Sequence, residues 1–333
     1  MKTFRPVQTA RRALLGMACF AALTAGTQAQ AQAGYPNKPI RMIVPLAAGS
    51  AVDVAARLLA QKMSTNMGQP FVIENITGAA GIIGADKLAK SAPDGYTIGG
   101  FNDSVITMVP NLNPNTPFDP LTDFAYVSRV AIIEFSAAVP IDSPYKTIAD
   151  LVKAAKAAPG TITYASGGNG SPQHMGGAMF AAHTGIELRH VPYRGASQAA
   201  LDVAGGQVNV TFQGIATVAS LVKAGKLRLI GVTAQKRHPE YPTVPTFEEV
   251  GIAPGFNYST WFALTAPKGT PRDIVDRLNR EVVKALADPE IKERFNALGL
   301  VPDGNTPEQL LALTRDQLTR YGKVIRDNNI KAE

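Results

Sequence analysis

The chain has 333 residues, with 33 Lys and Arg against 26 Asp and Glu, and one cysteine. The formal charge of +7 is concentrated at the front, where Lys2, Arg5, Arg11 and Arg12 stand with no acid; removing those four cations leaves +3. No Lys/Arg run with interleaved aromatics remains after them, which argues against a nucleic-acid partner.

Residues 1–33 read as an export signal rather than as part of the fold. The basic segment precedes a short apolar stretch, Ala13 to Ala25, and then Ala29-Gln30-Ala31 and Ala31-Gln32-Ala33, both small-x-small sites. Cleavage is expected near Ala31 or Ala33, with the mature protein in the periplasm. The apolar stretch is too short to span a bilayer. Arg11-Arg12 leaves both the general and the twin-arginine export routes open. Cys19 leaves with the signal, so the mature chain is expected to have no disulfide, thiol nucleophile or thiolate metal ligand. No later stretch approaches the run of about 18 apolar residues a spanning helix needs, so a soluble protein is expected.

After the signal the chain alternates strand and helix in two series. The first opens with a strand at Ile40–Val44, a small-residue loop, and a helix at Ala51–Met67. Ser50 and Asp53 have capping-box spacing at its start. A strand at Phe71–Glu74, a helix at Gly81–Lys90 and a strand at Thr97–Phe101 follow. Asn111–Asp123 is rich in Pro and Asn. Phe124–Pro140 is β-prone and is the candidate crossing strand. The second series runs through strands at Thr161–Ala165, Glu187–Val191, Val208–Phe212 and Leu227–Val232. Helices are predicted between them at Gln173–His183, Ser197–Ala204 and Val218–Ala224. A return crossing is expected near Phe256–Ala266. Helices at Ile274–Ala287, Pro289–Ala297 and Pro307–Asn328 then pack back on the first lobe. Such alternation implies an α/β fold of parallel sheets with helices on both faces. The expected division is 34–130 for the first lobe, 131–258 for the second, and 259–333 returning to the first.

Ligands of open α/β sheets sit beyond the carboxyl ends of the strands. The strand-to-helix loops there are Leu46–Val52, Ile76–Gly81, Asn102–Ser104, Ser166–Pro172, Pro192–Ser197 and Gln213-Gly214. They are rich in Gly, Ser, Thr and Asn and poor in charge, a composition suited to holding a carboxylate with backbone N–H and hydroxyl donors at helix starts. Leu46, Asn102, Ser104, Tyr193 and Gln213 are candidates on this ground. Each loop also reads as a plain tight turn, and Ser50 and Asp53 as a plain cap. His174 either donates to a ligand or anchors its own helix, the latter being the more common role. Arg194 either enters a cleft or sits in a surface ion pair, and Trp261 either lines a wall or fills the core. No Gly-x-Ser-x-Gly elbow, His-Glu-x-x-His or Walker A motif occurs, and no His stands at metal spacing. No catalytic residue, metal or cofactor is expected.

The motifs together resemble the Bug-type extracytoplasmic solute receptors of tripartite tricarboxylate transporters (TctC-like). Tyr35-Pro36-Asn37-Lys38-Pro39-Ile40-Arg41 and the loop from Pro45 to Arg57 resemble that family's opening. Val72–Asn75 with Gly78–Gly81, Pro93–Thr97, Tyr164–Gly167 with Gly170–His174, His190–Gly195 and Pro242–Glu249 follow in order. The resemblance implies a type II periplasmic-binding-protein fold, two α/β lobes joined by crossing hinge strands that close over a small carboxylate. It places Ala48, Gly49, Ser50, Thr77, Ala79, Ser166, Gly168, Asn169 and Ser171 at the ligand. Four residues depart from the family pattern: Ser50 where Gly is usual, Ile76 for Arg, Ala80 for Gly, and Gln213 for Asp. Losing that Asp removes a partner for a ligand ammonium, so a dicarboxylate or aromatic carboxylate without an amino group is expected. A monomer that docks transiently on membrane transporter subunits is implied. The rival expectations are a sensor subunit for a membrane kinase and an exported enzyme.

Overall fold

The computed structural model describes residues 34–331. The expected export signal, its expected cleavage near Ala31 or Ala33, and Cys19 lie outside the described residues. From Pro39 onward the chain builds a ten-stranded sheet in the order β2-β1-β3-β9-β4-β7-β5-β6, with β8 and β10 also paired to β4. The strands are β1 (Ile40–Val44), β2 (Phe71–Asn75), β3 (Thr97–Asn102), β4 (Phe124–Pro140), β5 (Thr163–Ser166), β6 (Arg189–Pro192), β7 (Val210–Gly214), β8 (Leu227–Val232), β9 (Ser259–Pro267) and β10 (Leu300–Pro302). Strands β1, β2 and β3 pair in parallel, as do β5, β6 and β7, as the strand–helix alternation requires.

The two parallel halves meet on one element. Strand β4 is 17 residues long. Its front pairs antiparallel with β9, from Phe124 opposite Pro267 to Glu134 opposite Ser259. Its end pairs antiparallel with β7, from Phe135 opposite Gly214 to Ala138 opposite Thr211, and with β8. The expected separate sheets are therefore one continuous sheet, because a single extended strand serves both halves. This is the two-lobed α/β architecture of type II periplasmic binding proteins.

The helices follow the punctuation of the sequence. Helix α1 (Ala51–Met67) begins at Ser50, whose side chain accepts the Asp53 N–H, and ends at Gly68 in the left-handed conformation. After a 3-10 turn at Ala79–Gly81 comes α2 (Ile82–Ala89). Helix α3 (Val109–Leu112) is short and follows a π-turn at Ser104–Met108. Helix α4 (Ile148–Ala157) was not anticipated, although Thr147 and Asp150 form a full capping box at its start. Helices α5 (Pro172–Thr184), α6 (Ala196–Ala204) and α7 (Ile215–Lys223) complete the second series. The tail supplies α8 (Arg272–Ala287), α9 (Pro289–Asn296) and α10 (Pro307–Asp327). Helix α8 packs on α1 and β4, and α10 on β4 and the π-turn, so the tail returns to the first half.

Two apolar cores flank β4. One gathers Ile43, Leu88, Phe101, Phe124 and Trp261. The other gathers Ala138, Ala165, Val203, Val218 and Leu229. Each Val, Leu, Ile and Phe among them contributes roughly 1.5–3 kcal/mol when fully buried. Trp261 thus fills core, its indole N–H donating to Gln317 Oε1 at 2.8 Å. Among the described residues no helix is long and apolar enough to cross a membrane.

Candidate functional site

Between the two halves lies a cleft with about 590 Å³ of non-atom space, its mouth included. The starts of α1, α2, α5, α6 and α7 all reach its wall, through Ala51 and Val52, Gly81, Pro172 and Gln173, Ala196, and Gly214. The Ala51 N–H is taken by Thr217 Oγ1 and the Gly81 N–H by the Gly78 carbonyl, and Pro172 has none, so what these starts share toward the cleft is the positive end of the helix dipole. The floor is apolar, with Ile133 and Phe135 each 2% exposed. No Asp or Glu lines the cleft among the described residues, and Arg194 is its one charged side chain. Such a surface attracts an anion and offers an ammonium no partner.

The first loop is held from behind. Asn75 Nδ2 donates to the Leu46 carbonyl at 3.0 Å and to Asp53 Oδ1 at 2.9 Å. Asp53 Oδ2 accepts from the Gly49 N–H and from Arg57 Nε, both at 2.9 Å. Burial pushes the Asp53 carboxyl up, but these hydrogen bonds outweigh it and hold the group below its ordinary range. Asp53 therefore closes the cap through Gly49 and turns away from the cleft. The substitution of Ser at position 50 carries no backbone cost, because Ser50 is extended (φ −67°) and Gly49 bears the left-handed turn (φ 76°).

The second loop is strained. Gly78, Ala79, Ala80 and Gly81 all have positive φ, 127°, 46°, 52° and 103°. An alanine in that region costs roughly 1–2 kcal/mol relative to its preferred conformations. Strain of this kind collects at ligand-facing loops. Gly78, Ala80 and Gly81 line the cleft beside Thr77.

In the second half, Ser171 caps α5 by accepting the His174 N–H and also lines the cleft. Ser166 lies behind the wall, fully buried. Its Oγ is 2.6 Å from His190 Nε2 and accepts the Gly168 N–H at 3.1 Å. His190 stacks on His174 with ring centroids 4.2 Å apart, and His174 Nδ1 accepts the Gly170 N–H. Burial takes His174 down to about 4, and burial with the neighbouring His174 takes His190 to about 3, so both rings are neutral at pH 7. His174 thus anchors the loop that begins its own helix. Ser166→Ala should lower stability by about 2 kcal/mol, because it leaves the Gly168 N–H and a ring nitrogen without partners. Chemical denaturation reads this directly; unchanged stability would show that the buried hydroxyl carries no load.

Of the sequence-predicted residues, the structure brings Leu46, Ser50, Thr77, Asn102 and Ser171 together on the cleft wall. The others lie off it. The Ala48 carbonyl accepts from Ser197 Oγ at 2.8 Å, and the Gly49 N–H is taken by Asp53. Ala79 is exposed on the outside of its turn. The Ser104 hydroxyl is buried without a hydrogen-bond partner. The Gly168 carbonyl accepts the Ser171 N–H, and Asn169 is adjacent in the same loop. Tyr193 packs against the second apolar core. Gln213 is fully buried, donating to the Ala196 carbonyl and accepting from Gln173 Nε2.

Sequence reasoning missed Gln173, Thr217 and Thr260 on the wall and weighed Arg194 toward a surface role. Thr217 Oγ1 accepts the Ala51 N–H at 2.9 Å, a contact from one half to the other. The expected start of α7 fell three residues late because Gly214 passes from strand to helix without a side-chain cap. A capping signal there would have exposed Thr217.

The family model for the tripartite tricarboxylate transporter family receptor matches residues 55–330. A protein from the tcbD-tcbE intergenic region of Pseudomonas sp. strain P51 is 39% identical over 322 residues, covering 97% of this chain and 95% of the relative. BugT of Bordetella pertussis is 36% identical over 310 residues, covering 92% and 95%. Among solved structures, the periplasmic binding protein BugD superposes with a TM-score of 0.84 at 32% identity, over 89% of this chain and 99% of its own. R. palustris Rpa4515 with adipate gives 0.86 at 31%, over 89% and 99%. MatC from Rhodopseudomonas palustris with bound malate gives 0.81 at 28%, over 87% and 100%.

Proposed function

The chain belongs to the tripartite tricarboxylate transporter receptor family, and from that premise we propose that it captures a small carboxylate between its two lobes and delivers it to a tripartite membrane transporter. Members of this family are solute-binding receptors. The observation that carries the ligand class is the cleft itself: five helix starts and no acid. Adipate in Rpa4515 and malate in MatC support the same chemistry. The ligand is a dicarboxylate or an aromatic carboxylate without an amino group, since neither Gln213 nor any lining residue offers a carboxylate to an ammonium.

Binding proceeds by hinge closure. The division falls near residues 130 and 258, with β4 and β9 as the crossing strands. Contacts from both lobes exist only when the cleft is shut, so the ligand shifts the population toward the shut form. The bonds Ala51–Thr217 and Ser197–Ala48 are of that kind. The export signal places the protein in the periplasm, cleaved near Ala31 or Ala33, where it acts as a monomer. Membrane subunits then read the closed shape.

Isothermal titration of the mature protein against a panel of carboxylic acids tests this. Micromolar binding, about −8 kcal/mol, is expected for at least one acid without an amino group. Tighter binding of an amino acid than of its deaminated analogue would overturn the ligand assignment.

A further inference from the structure

We propose that Arg194 receives a second negative group at the far end of the ligand, so that this receptor discriminates by charge count. The inference rests on the carboxylate reading above and goes further by assigning a residue to the ligand's other end.

Arg194 is the one charged residue lining the cleft among the described residues. It is exposed at the mouth, whereas Ile133, Phe135 and Thr260 on the floor are almost wholly buried. Its backbone is fixed on both sides. The Tyr193 N–H donates to the Ser166 carbonyl, and Gly195 caps α6 against Ala47 across the cleft. The ordinary role of such a residue is an ion pair, yet no acid pairs with Arg194 among the described residues, although the neighbouring Tyr193 interacts with Asp202. A guanidinium left unpaired at the rim of an acid-free cleft is a ready receiver for an anion, which it can bind bidentately.

The lining then sets the ligand. One carboxylate meets the helix starts on the wall. A hydrocarbon portion lies against Leu46, Val52, Ile133 and Phe135. A second carboxylate emerges at the mouth, toward Arg194. Because the arginine is solvent-exposed, its contribution is modest, about tenfold in affinity rather than a thousandfold.

The test uses matched pairs with the same carbon skeleton: succinate with butyrate, adipate with hexanoate, and terephthalate with benzoate. Each is titrated into the wild type and into Arg194→Gln. In at least one pair the wild type should bind the dicarboxylate about tenfold tighter. Arg194→Gln should erase that preference, lowering the dicarboxylate affinity by more than the monocarboxylate affinity, while a thermal unfolding midpoint equal to that of the wild type shows that the variant is folded. Arg194→Lys should restore part of the preference. If the wild type binds both members of every pair alike, or if Arg194→Gln keeps the preference, the role of Arg194 is overturned while the carboxylate reading stands. If no acid binds at all, both fall.

Discussion

Gly195→Ala is expected to weaken carboxylate binding about thirtyfold while leaving the stability of the ligand-free protein within about 1 kcal/mol of wild type. A Cβ added at Gly195 would stand 2.7 Å from the Ala47 Cβ, on the opposite wall of the cleft. Real Cβ atoms do not approach so closely, so the halves would have to part. Parting them breaks the Ser197–Ala48 and Ala51–Thr217 hydrogen bonds, at 2.8 and 2.9 Å. Each is worth about 1 kcal/mol, and ~2 kcal/mol converts to about thirtyfold in Kd. Folding itself is little touched. Gly195 is extended, with φ −176°, so alanine meets no backbone strain. Alanine is a poorer N-cap than glycine, but it also lowers the entropy of the unfolded chain. These effects are each under about 1 kcal/mol and opposite in sign. The double variant Ala47→Gly with Gly195→Ala removes the clash and should recover most of the affinity. Calorimetry with the best ligand decides it: unchanged affinity in Gly195→Ala would mean that the bound state is more open than the geometry here.

Local punctuation made much of this fold legible in advance. Helix α1 was bounded correctly at both ends because Ser50 caps it and Gly68 ends it in a left-handed turn. Strand β8 and the whole of β4, Phe124–Pro140, were visible as β-prone stretches. What stayed hidden has a common physical cause. Thr217 and Ala51 are 166 positions apart, and Ser197 and Ala48 are 149 apart. Nothing local marks two residues as partners across a closing cleft. The same holds for Arg194, whose proposed role depends on an acid being absent from its surroundings in space. Ser166 shows the converse: its motif pointed to the ligand, but the hydroxyl is engaged by His190 from a neighbouring strand. Gln213 is similarly absorbed, by Gln173 and the Ala196 carbonyl.

Asp103→Asn is expected to stabilise the protein by about 3 kcal/mol at pH 8 and by almost nothing near pH 4. Asp103 opens the turn after β3 and is 0% exposed. Neither carboxylate oxygen has a hydrogen-bond partner of good geometry, although the backbone N–H groups of Ser104, Trp261 and Asp103 itself lie near enough to offset part of the cost of burial. Burial therefore drives the group well above the ordinary carboxylate range. Tyr258 and Tyr321 are also raised, by burial first and then by nearby negative charge, that of Asp103 included. The sign follows from proton counting. Between the ordinary carboxylate pKa and the raised one, the folded state holds a proton that the unfolded state has released. Stability therefore falls as pH rises through that window. Below the unfolded value both states are protonated and the penalty vanishes. Asparagine keeps the shape, never ionises, and removes the slope, whereas an unpaired buried charge costs about 3–5 kcal/mol. Urea denaturation of wild type and variant at pH 4, 6 and 8 reads the difference. Parallel stabilities across that range would mean that Asp103 is solvated or paired in solution, and the closed packing of Trp261, Tyr258 and Tyr321 around it would have to be looser than it is here.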